Sequence, residues 1–527
     1  LLEQHNEEKF VSLLNTGVDF VTFSDKNVDA LILQIEDLLT RLSAVSTLRE
    51  LCSYLRTKFS HDNPCKASLV VTDITDLETK LSELVAHLKN HPGRTLSTRS
   101  GIFFLPGEEF QDAKVAVLFP GQGSQYPGMM RELIAHRSEA QDVLQKVNLW
   151  RTSNGLESLN DIVYPMAAFG AKDLEEQRQY LTRTDNTQAG LSFANLAAYK
   201  VLINIGLQVD AVAGHSYGEL TALHAADVLD FDSYMKLTRL RGELMRECND
   251  KQGGAMLAVL APKEKVLEAI APIGKSENLI EVANYNSPEQ VVLSGTVAAI
   301  DAAESHLHKS NLRSVRLSVG AAFHSSLMQE ASESFAKELK NVKFNEGLIP
   351  VYSNTITDVF PKAEKEKANL LARQLRESVQ FEKMIRKMVD DGCRIFVETG
   401  PSGVLGRLVG QILENEPHVV LSIDAGELKT SNQEIDLRKR FTPLTTCMAR
   451  LAAMGKVQLN SEAIGEKVEA FPLKRKMSPV TVQLNGANFL RPEMRQVPMK
   501  PGNVQLDSII TQQVEVSQKI AEKELKT

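Results

Sequence analysis

The pattern of apolar and polar positions divides the chain into segments of changing period. DFVTFS (19–24) and CKASLVVT (65–72) are short apolar runs of the kind that form strands. NVDALILQIEDLLTRLSA (27–44), STLRELCSYLRTKF (46–59) and DLETKLSELVAHLKN (76–90) carry apolar residues at helical spacing. Ser46 is the expected N-cap of the second helix, and His91-Pro92-Gly93 closes the third. This first unit gathers no catalytic residue types, so a structural or docking module is expected.

The pattern changes at AKVAVLFPGQGSQ (113–125), a buried-type strand followed by a glycine loop. QAGLSFANLAAYKVLINIG (188–206) predicts a helix ending at Gly206, VDAVAG (209–214) a strand and ELTALHAADVL (219–229) a helix. Strand and helix in alternation predict a mostly parallel sheet covered on both faces. Residues 254–318 read β-α-β-β-α-β, the order of a ferredoxin-like subdomain. The first pattern then resumes with a strand in IPVYSN (349–354), one helix over 364–390, and CRIFVETGPSGVLGRLV (393–409). Five prolines in 471–503 predict an extended linker, and 505–526 a short amphipathic helix.

Composition narrows the picture. A length of 527 residues suits two or three domains, and a net charge of -7 without a basic cluster argues against a nucleic-acid partner. Cys52, Cys65, Cys248, Cys393 and Cys447 are scattered and form no CxxC pair, so neither a metal site nor a thiol redox centre is expected. An odd count of cysteines suits a reduced, cytoplasmic setting. No apolar run approaches the roughly 18 residues of a membrane helix, so no membrane partner is expected. The first residues do not read as a secretory signal. The chain begins with Leu1, as a piece of a longer protein would.

One stretch carries chemistry. Gly-His-Ser-Tyr-Gly (214–218) lies where a strand passes into a helix. G-x-S-x-G alone is weak, since a chain this long holds roughly 0.2 chance matches. Its strand–turn–helix setting is that of a nucleophile elbow, which exposes the serine oxygen beside the helix N-terminus. The bland alternative is a glycine turn with an incidental serine. A serine nucleophile needs a base. His215 is adjacent, but neighbours on a tight turn point apart. His324, where a strand passes into a helix in VGAAFHSSLMQ (319–329), is the better placed histidine. No triad carboxylate is identifiable by spacing.

Residues 113–410 resemble malonyl-CoA:acyl-carrier-protein acyltransferases of fatty-acid and polyketide synthases. The resemblance rests on FPGQGSQ (119–125), GHSYGE (214–219), LRGELM (240–245), NYNSPEQVVLSG (284–295), AFHSSLM (322–328), SN (353–354) and ETGP (398–401), in that order. Residues 18–110 resemble the linker domain between a ketosynthase and an acyltransferase. GHSYGELTALHAA and VTVQLNGANF (480–489) resemble the polyunsaturated-fatty-acid synthase subgroup. Neither a ketosynthase cysteine motif nor a carrier-protein serine motif is visible.

The resemblance implies an α/β fold with a parallel-sheet, α/β-hydrolase-like acyltransferase core over 111–430 and an inserted ferredoxin-like subdomain at 254–318. A tail (1–17) and a small α+β linker domain (18–110) precede it, and helices with an extended linker (431–527) follow. It implies Ser216 as the acylated nucleophile and His324 as its base, oriented by the backbone carbonyl of Gln374, which leaves the side chain at 374 less critical. Backbone N–H groups of Gln122 and Tyr217 would form the oxyanion hole, and Arg241 would grip the malonyl carboxylate. Phe323 would crowd the α-methyl of methylmalonyl, with Ala321 standing where the signature often has a second histidine. Asn284 and Met328 match positions near the pocket. The implied partners are an acyl carrier protein bearing phosphopantetheine and neighbouring synthase domains such as a ketosynthase. Malonyl-CoA enters as substrate, and no bound cofactor is implied. Rival readings are a serine hydrolase or thioesterase, which shares G-x-S-x-G, and a non-catalytic scaffold.

Overall fold

A computed structural model describes residues 17–459 and 470–473, apart from 107–109, 111, 166–169, 274–278, 318, 320, 425 and 428–436. The N-terminal tail before Gly17, most of the expected extended linker and the expected helix over 505–526 lie outside the described residues.

The first sheet is antiparallel, in the order β1-β2-β4-β3, from β1 (Asp19–Asp25), β2 (Cys65–Val71), β3 (Leu96–Ser97) and β4 (Ile102–Phe104). Val21, Phe23, Leu69 and Phe104 face a core shared with the helices Val28–Arg41, Leu48–Lys58 and Ile74–Asn90. Phe20, Val70 and Phe103 point the other way, into the core shared with the strand Lys114–Phe119. Period-two alternation explains the split, because successive strand side chains face opposite sides. The helix Leu437–Ala453 packs on β1, β2 and β4 and also meets the strand Val419–Ser422. The second helix is capped by Thr47, whose hydroxyl accepts from Glu50 N at 3.2 Å, and not by Ser46. Ser46 instead donates to the Glu50 carboxylate.

A second, parallel sheet, called the catalytic sheet, starts with β5 (Lys114–Phe119) and β6 (Ala211–Gly214). Between them the helix Thr184–Ile205 is buried along most of its length and ends at Gly206, in the left-handed region at φ 112°. A four-stranded antiparallel sheet is then inserted: β7 (Ala255–Val259), β8 (Ile280–Ser287), β9 (Gln290–Gly295) and β10 (Ser314–Arg316), in the order β10-β7-β9-β8. With the helices Lys263–Ile270 and Val297–Lys309 it forms the expected ferredoxin-like subdomain, which has its own core. The chain returns through β11 (Val351–Tyr352), β12 (Cys393–Glu398) and β13 (Val419–Ser422), completing a parallel sheet in the order β11-β6-β5-β12-β13.

The single helix expected over 364–390 is two helices, Glu364–Arg373 and Phe381–Asp390. No glycine or proline marks the break. Val379 leaves the helix to pair with β8, donating to Ala283 O at 2.8 Å and accepting from Tyr285 N at 2.9 Å. Tertiary pairing overrides a continuous helical pattern here, and the break frees main-chain carbonyls beside the site. Among the described residues no helix is long and apolar enough to cross a membrane.

Candidate active site

β6 ends at Gly214 and the helix Gly218–Ala225 begins four residues later. The two glycines of G-x-S-x-G are steric requirements of that corner. A Cβ on Gly214 would lie 1.9 Å from the carbonyl carbon of Gly218, and one on Gly218 would lie 1.9 Å from Phe119 O. Ser216 is forced into the left-handed region, at φ 52°. Strain of this kind, about 1–3 kcal/mol, persists only where the surroundings over-determine the backbone. Asn354 supplies part of that constraint. Its amide donates to Gly214 O and, at 2.7 Å, to Glu219 Oε1. The GHSYGE and SN motifs are thus one hydrogen-bonded unit. Burial lifts the Glu219 carboxyl to about 7 against the opposing Asn354 bonds.

His324 also has a left-handed backbone, at φ 54°. Its Nε2 lies 2.7 Å from Ser216 Oγ. Its Nδ1 faces two acceptors, Gln374 O at 2.9 Å and Glu377 O at 3.2 Å, both freed by the helix break. That arrangement puts the ring proton on Nδ1 and leaves Nε2 to accept from the serine hydroxyl. Burial first, then the nearby Arg241 charge, lowers the His324 pKa to about 3. The imidazole is therefore neutral near pH 7, the form a base requires. His215 turns away from Ser216: its Nε2 meets Asn286 Oδ1 at 2.9 Å, and its ring lies against Phe381.

Ser216 shares its cleft with both expected oxyanion-hole residues. Gln122 and Tyr217 both line the cleft, and among the described residues neither backbone N–H is used in a hydrogen bond. A Cβ on Gly121 would lie 2.4 Å from His215 O, so the glycine loop and the elbow approach closely. The Tyr217 ring points into the core, where its hydroxyl meets Thr238 at 3.0 Å.

Arg241, on the helix Phe231–Gln252, is 1% exposed. Its Nη2 lies 3.2 Å from Ser216 Oγ and 3.2 Å from Gln374 Oε1. No salt bridge to Arg241 exists among the described residues, and its Nε has no partner there. Burial lowers its pKa to about 10, so it remains charged near neutrality. A buried guanidinium without a carboxylate is costly unless an anion arrives.

The cleft, of about 240 Å³, runs between the catalytic sheet and the ferredoxin-like subdomain. Phe323 and Asn284 line it, with Met245, Met256 and Val292 supplying apolar surface. Met328 does not line it, contrary to expectation; it is 1% exposed in the main core, in a short helix that packs on Phe231–Gln252. The Gln374 side chain, expected to matter little, is buried at the centre of the site. Its Nε2 donates to Ser216 O at 2.6 Å. Nothing in the sequence marks that side chain, because only the helix break turns it inward. Among the described residues no group of three or more His, Cys, Asp or Glu side chains is placed to hold a metal ion.

A serine at a strand–helix elbow, paired with a neutral histidine beside two unused backbone donors, is equipped for acyl transfer through an ester. Residues 117–442 match the family described as the acyl transferase domain, and the chain belongs to that family. It is an acyltransferase. Among characterised relatives it is similar to the malonyl CoA-acyl carrier protein transacylase of Bacillus subtilis (strain 168). The two are 35% identical over 303 residues, 57% of this chain and 90% of that one. It is also similar to a polyunsaturated fatty acid synthase polypeptide of Thraustochytrium sp. (strain ATCC 26185 / S-3), at 26% identity over 408 residues. That match spans 76% of this chain but 14% of the relative. The solved acyl transferase domain of ZmaA shares the fold at a TM-score of 0.69 and 22% identity, covering 85% of this chain and 96% of that one.

Proposed function

We propose that the chain moves a malonyl group from coenzyme A to the phosphopantetheine thiol of an acyl carrier protein, supplying extender units to a polyketide or polyunsaturated-fatty-acid synthase. The observation that carries this reading is the Arg241 guanidinium, buried with no ion-paired carboxylate among the described residues and 3.2 Å from Ser216 Oγ. A planar, permanently charged fork at that distance suits an acyl group ending in a free carboxylate.

Ser216 Oγ attacks the thioester carbonyl as its proton passes to His324 Nε2. The carbonyl oxygen gains negative charge between the N–H groups of Gln122 and Tyr217. The C–S bond breaks, and the departing sulfur takes the proton from His324. In the second half-reaction the carrier thiol gives its proton to His324, attacks the ester and regenerates Ser216. Every step uses side chains and backbone N–H groups of this chain and two thiols, so a ping-pong exchange needs no metal or redox cofactor. Residues 18–110 serve as the connection to a ketosynthase. The five cysteines are free thiols, which suits the cytoplasm.

Intact-protein mass spectrometry tests the reading. Malonyl-CoA is expected to add one malonyl group to the wild-type chain and none to Ser216→Ala. Added carrier protein should then remove it by transfer. Rapid release as free malonate, without transfer, would make the chain a hydrolase; no mass gain at all would make it a scaffold.

A further inference from the structure

Gln374 meets three members of the site through different atoms. Its carbonyl oxygen accepts from His324 Nδ1 at 2.9 Å. Its side-chain Oε1 accepts from Arg241 Nη2 at 3.2 Å, and its Nε2 donates to the Ser216 carbonyl at 2.6 Å. The residue is 1% exposed. Its amide orientation is fixed by its neighbours. A flip would set an NH2 against the guanidinium and oxygen against oxygen.

Arg241 has few other anchors. Its remaining hydrogen-bond partner among the described residues is Ser216 Oγ, the atom that must become an ester. Once the serine is acylated, Gln374 Oε1 is the acceptor that still fixes the guanidinium. The same amide holds the elbow by the Ser216 carbonyl.

We infer that the Gln374 side chain is a positioning residue that ties the carboxylate-binding Arg241 to the nucleophile elbow, and so sets the preference for acyl groups carrying a negative charge. It holds Arg241 by a neutral acceptor, so that no carboxylate is bonded directly to the guanidinium until an anionic acyl group binds; the buried Glu219 carboxyl acts on it only through space. A carboxylate at position 374 would occupy the guanidinium permanently. The effect on selectivity is separate from the main-chain carbonyl that serves His324, which any residue at 374 retains.

The inference rests on the acyltransfer roles of Ser216, His324 and Arg241, and one set of assays separates the two. Serine acylation by malonyl-CoA and by acetyl-CoA is followed by intact mass and stopped-flow rates, for wild type, Gln374→Met and Gln374→Glu. If wild type forms no malonyl ester, the functional reading fails whatever the variants do. With an active wild type, Gln374→Met keeps the side-chain length and the carbonyl but loses both amide contacts. Its kcat/KM for malonyl-CoA is expected to fall by about 10- to 100-fold, mainly through KM, with a smaller fall for acetyl-CoA. Gln374→Glu should shift the malonyl-to-acetyl ratio further toward acetyl than Gln374→Met does. Equal losses on both substrates, or a ratio unchanged in Gln374→Glu, would overturn the inference. Thermal unfolding and acetyl-ester formation report whether each variant is folded. If Gln374→Glu does not fold, the ratio in Gln374→Met decides the matter alone.

Discussion

Ser216 and His324 stand 108 residues apart in the chain, and their side chains meet at 2.7 Å from two left-handed backbones, φ 52° and 54°. Neither is a glycine, so each geometry is held from outside. At the serine, the holding is done by Gly218 lying against Phe119 and by Asn354 bonded to Gly214. Gly218→Ala is therefore expected to force the helix off the sheet, lower the unfolding midpoint and abolish ester formation. Overpacking of this kind costs about 1–3 kcal/mol or more. Gly410→Ala, within the helix Val404–Ile412 where an added Cβ meets nothing within 4 Å, is the control. It should leave the unfolding midpoint unchanged or raise it, by up to about 1 kcal/mol of stability. Paired denaturation curves check both.

His324 predicts an unusual pH profile. Burial and the Arg241 charge hold its pKa at about 3, so the basic form persists well below pH 6.5. The acid limb of kcat/KM for ester formation should lie far below the ordinary histidine range. In Arg241→Ala, assayed with acetyl-CoA, that limb should move to higher pH because one of the two main depressing causes is gone. Stability follows the opposite course. The unfolded histidine takes a proton near pH 6.5 that the folded one refuses until about pH 3, so the contribution of His324 to stability drops as pH falls through that window, against the opposite contributions of the buried Glu219 and Glu398 carboxyls between about pH 7 and 4.5. His324→Gln should flatten this part of the stability curve while lowering the acylation rate by about 10²–10⁴-fold.

Arg241→Ala should separate the two acyl classes. Removing a buried guanidinium expected to pair with a substrate carboxylate costs about 3–5 kcal/mol, so malonyl transfer is expected to fall by about 10²–10⁴-fold. Acetyl transfer should fall by less than about tenfold, since a neutral acyl group presents nothing to the fork. Arg241→Lys should recover only part of the malonyl rate, because an ammonium cannot bind a carboxylate in fork geometry. Initial rates on both thioesters check this; equal losses would show that Arg241 supports the elbow and not the substrate.

Much of this arrangement is legible in the sequence where local pattern and final structure agree. β5, β6 and the ferredoxin-like insertion follow hydrophobic periodicity, and the G-x-S-x-G corner follows from glycines that a side chain would drive into Gly218 or Phe119. What the sequence hides depends on contacts across the chain. The break at 374–380 is set by Val379 pairing with β8, yet the residues themselves continue a helical pattern. The Gln374 amide becomes part of the site only through that break. Met328 shares a motif with Phe323 and His324 but packs into the core, because the short helix at Ser326–Met328 turns it inward. The first sheet looks like a separate unit in sequence, whereas Phe20, Val70 and Phe103 place one of its faces in the catalytic sheet's core.

Phe323 is expected to limit the entry of a branched acyl group into the cleft. Its ring is 6% exposed and lines the cleft directly before His324. Ala321 is buried and does not line the cleft, so the absence of a histidine there leaves the wall at Phe323 intact. An α-methyl on the malonyl group would press on that wall. One methyl in a pocket changes discrimination by about 1–3 kcal/mol, or roughly 10–200-fold, which bounds the selectivity this side chain supplies. Phe323→Ala would also leave a cavity costing about 3–5 kcal/mol, which confuses specificity with folding. Phe323→Leu is the better probe, since it shortens the wall and keeps most of the packing. The ratio of methylmalonyl to malonyl ester, measured by mass spectrometry with both thioesters present, should rise by about tenfold or more. An unchanged ratio in a folded Phe323→Leu variant would place the selectivity elsewhere in the cleft.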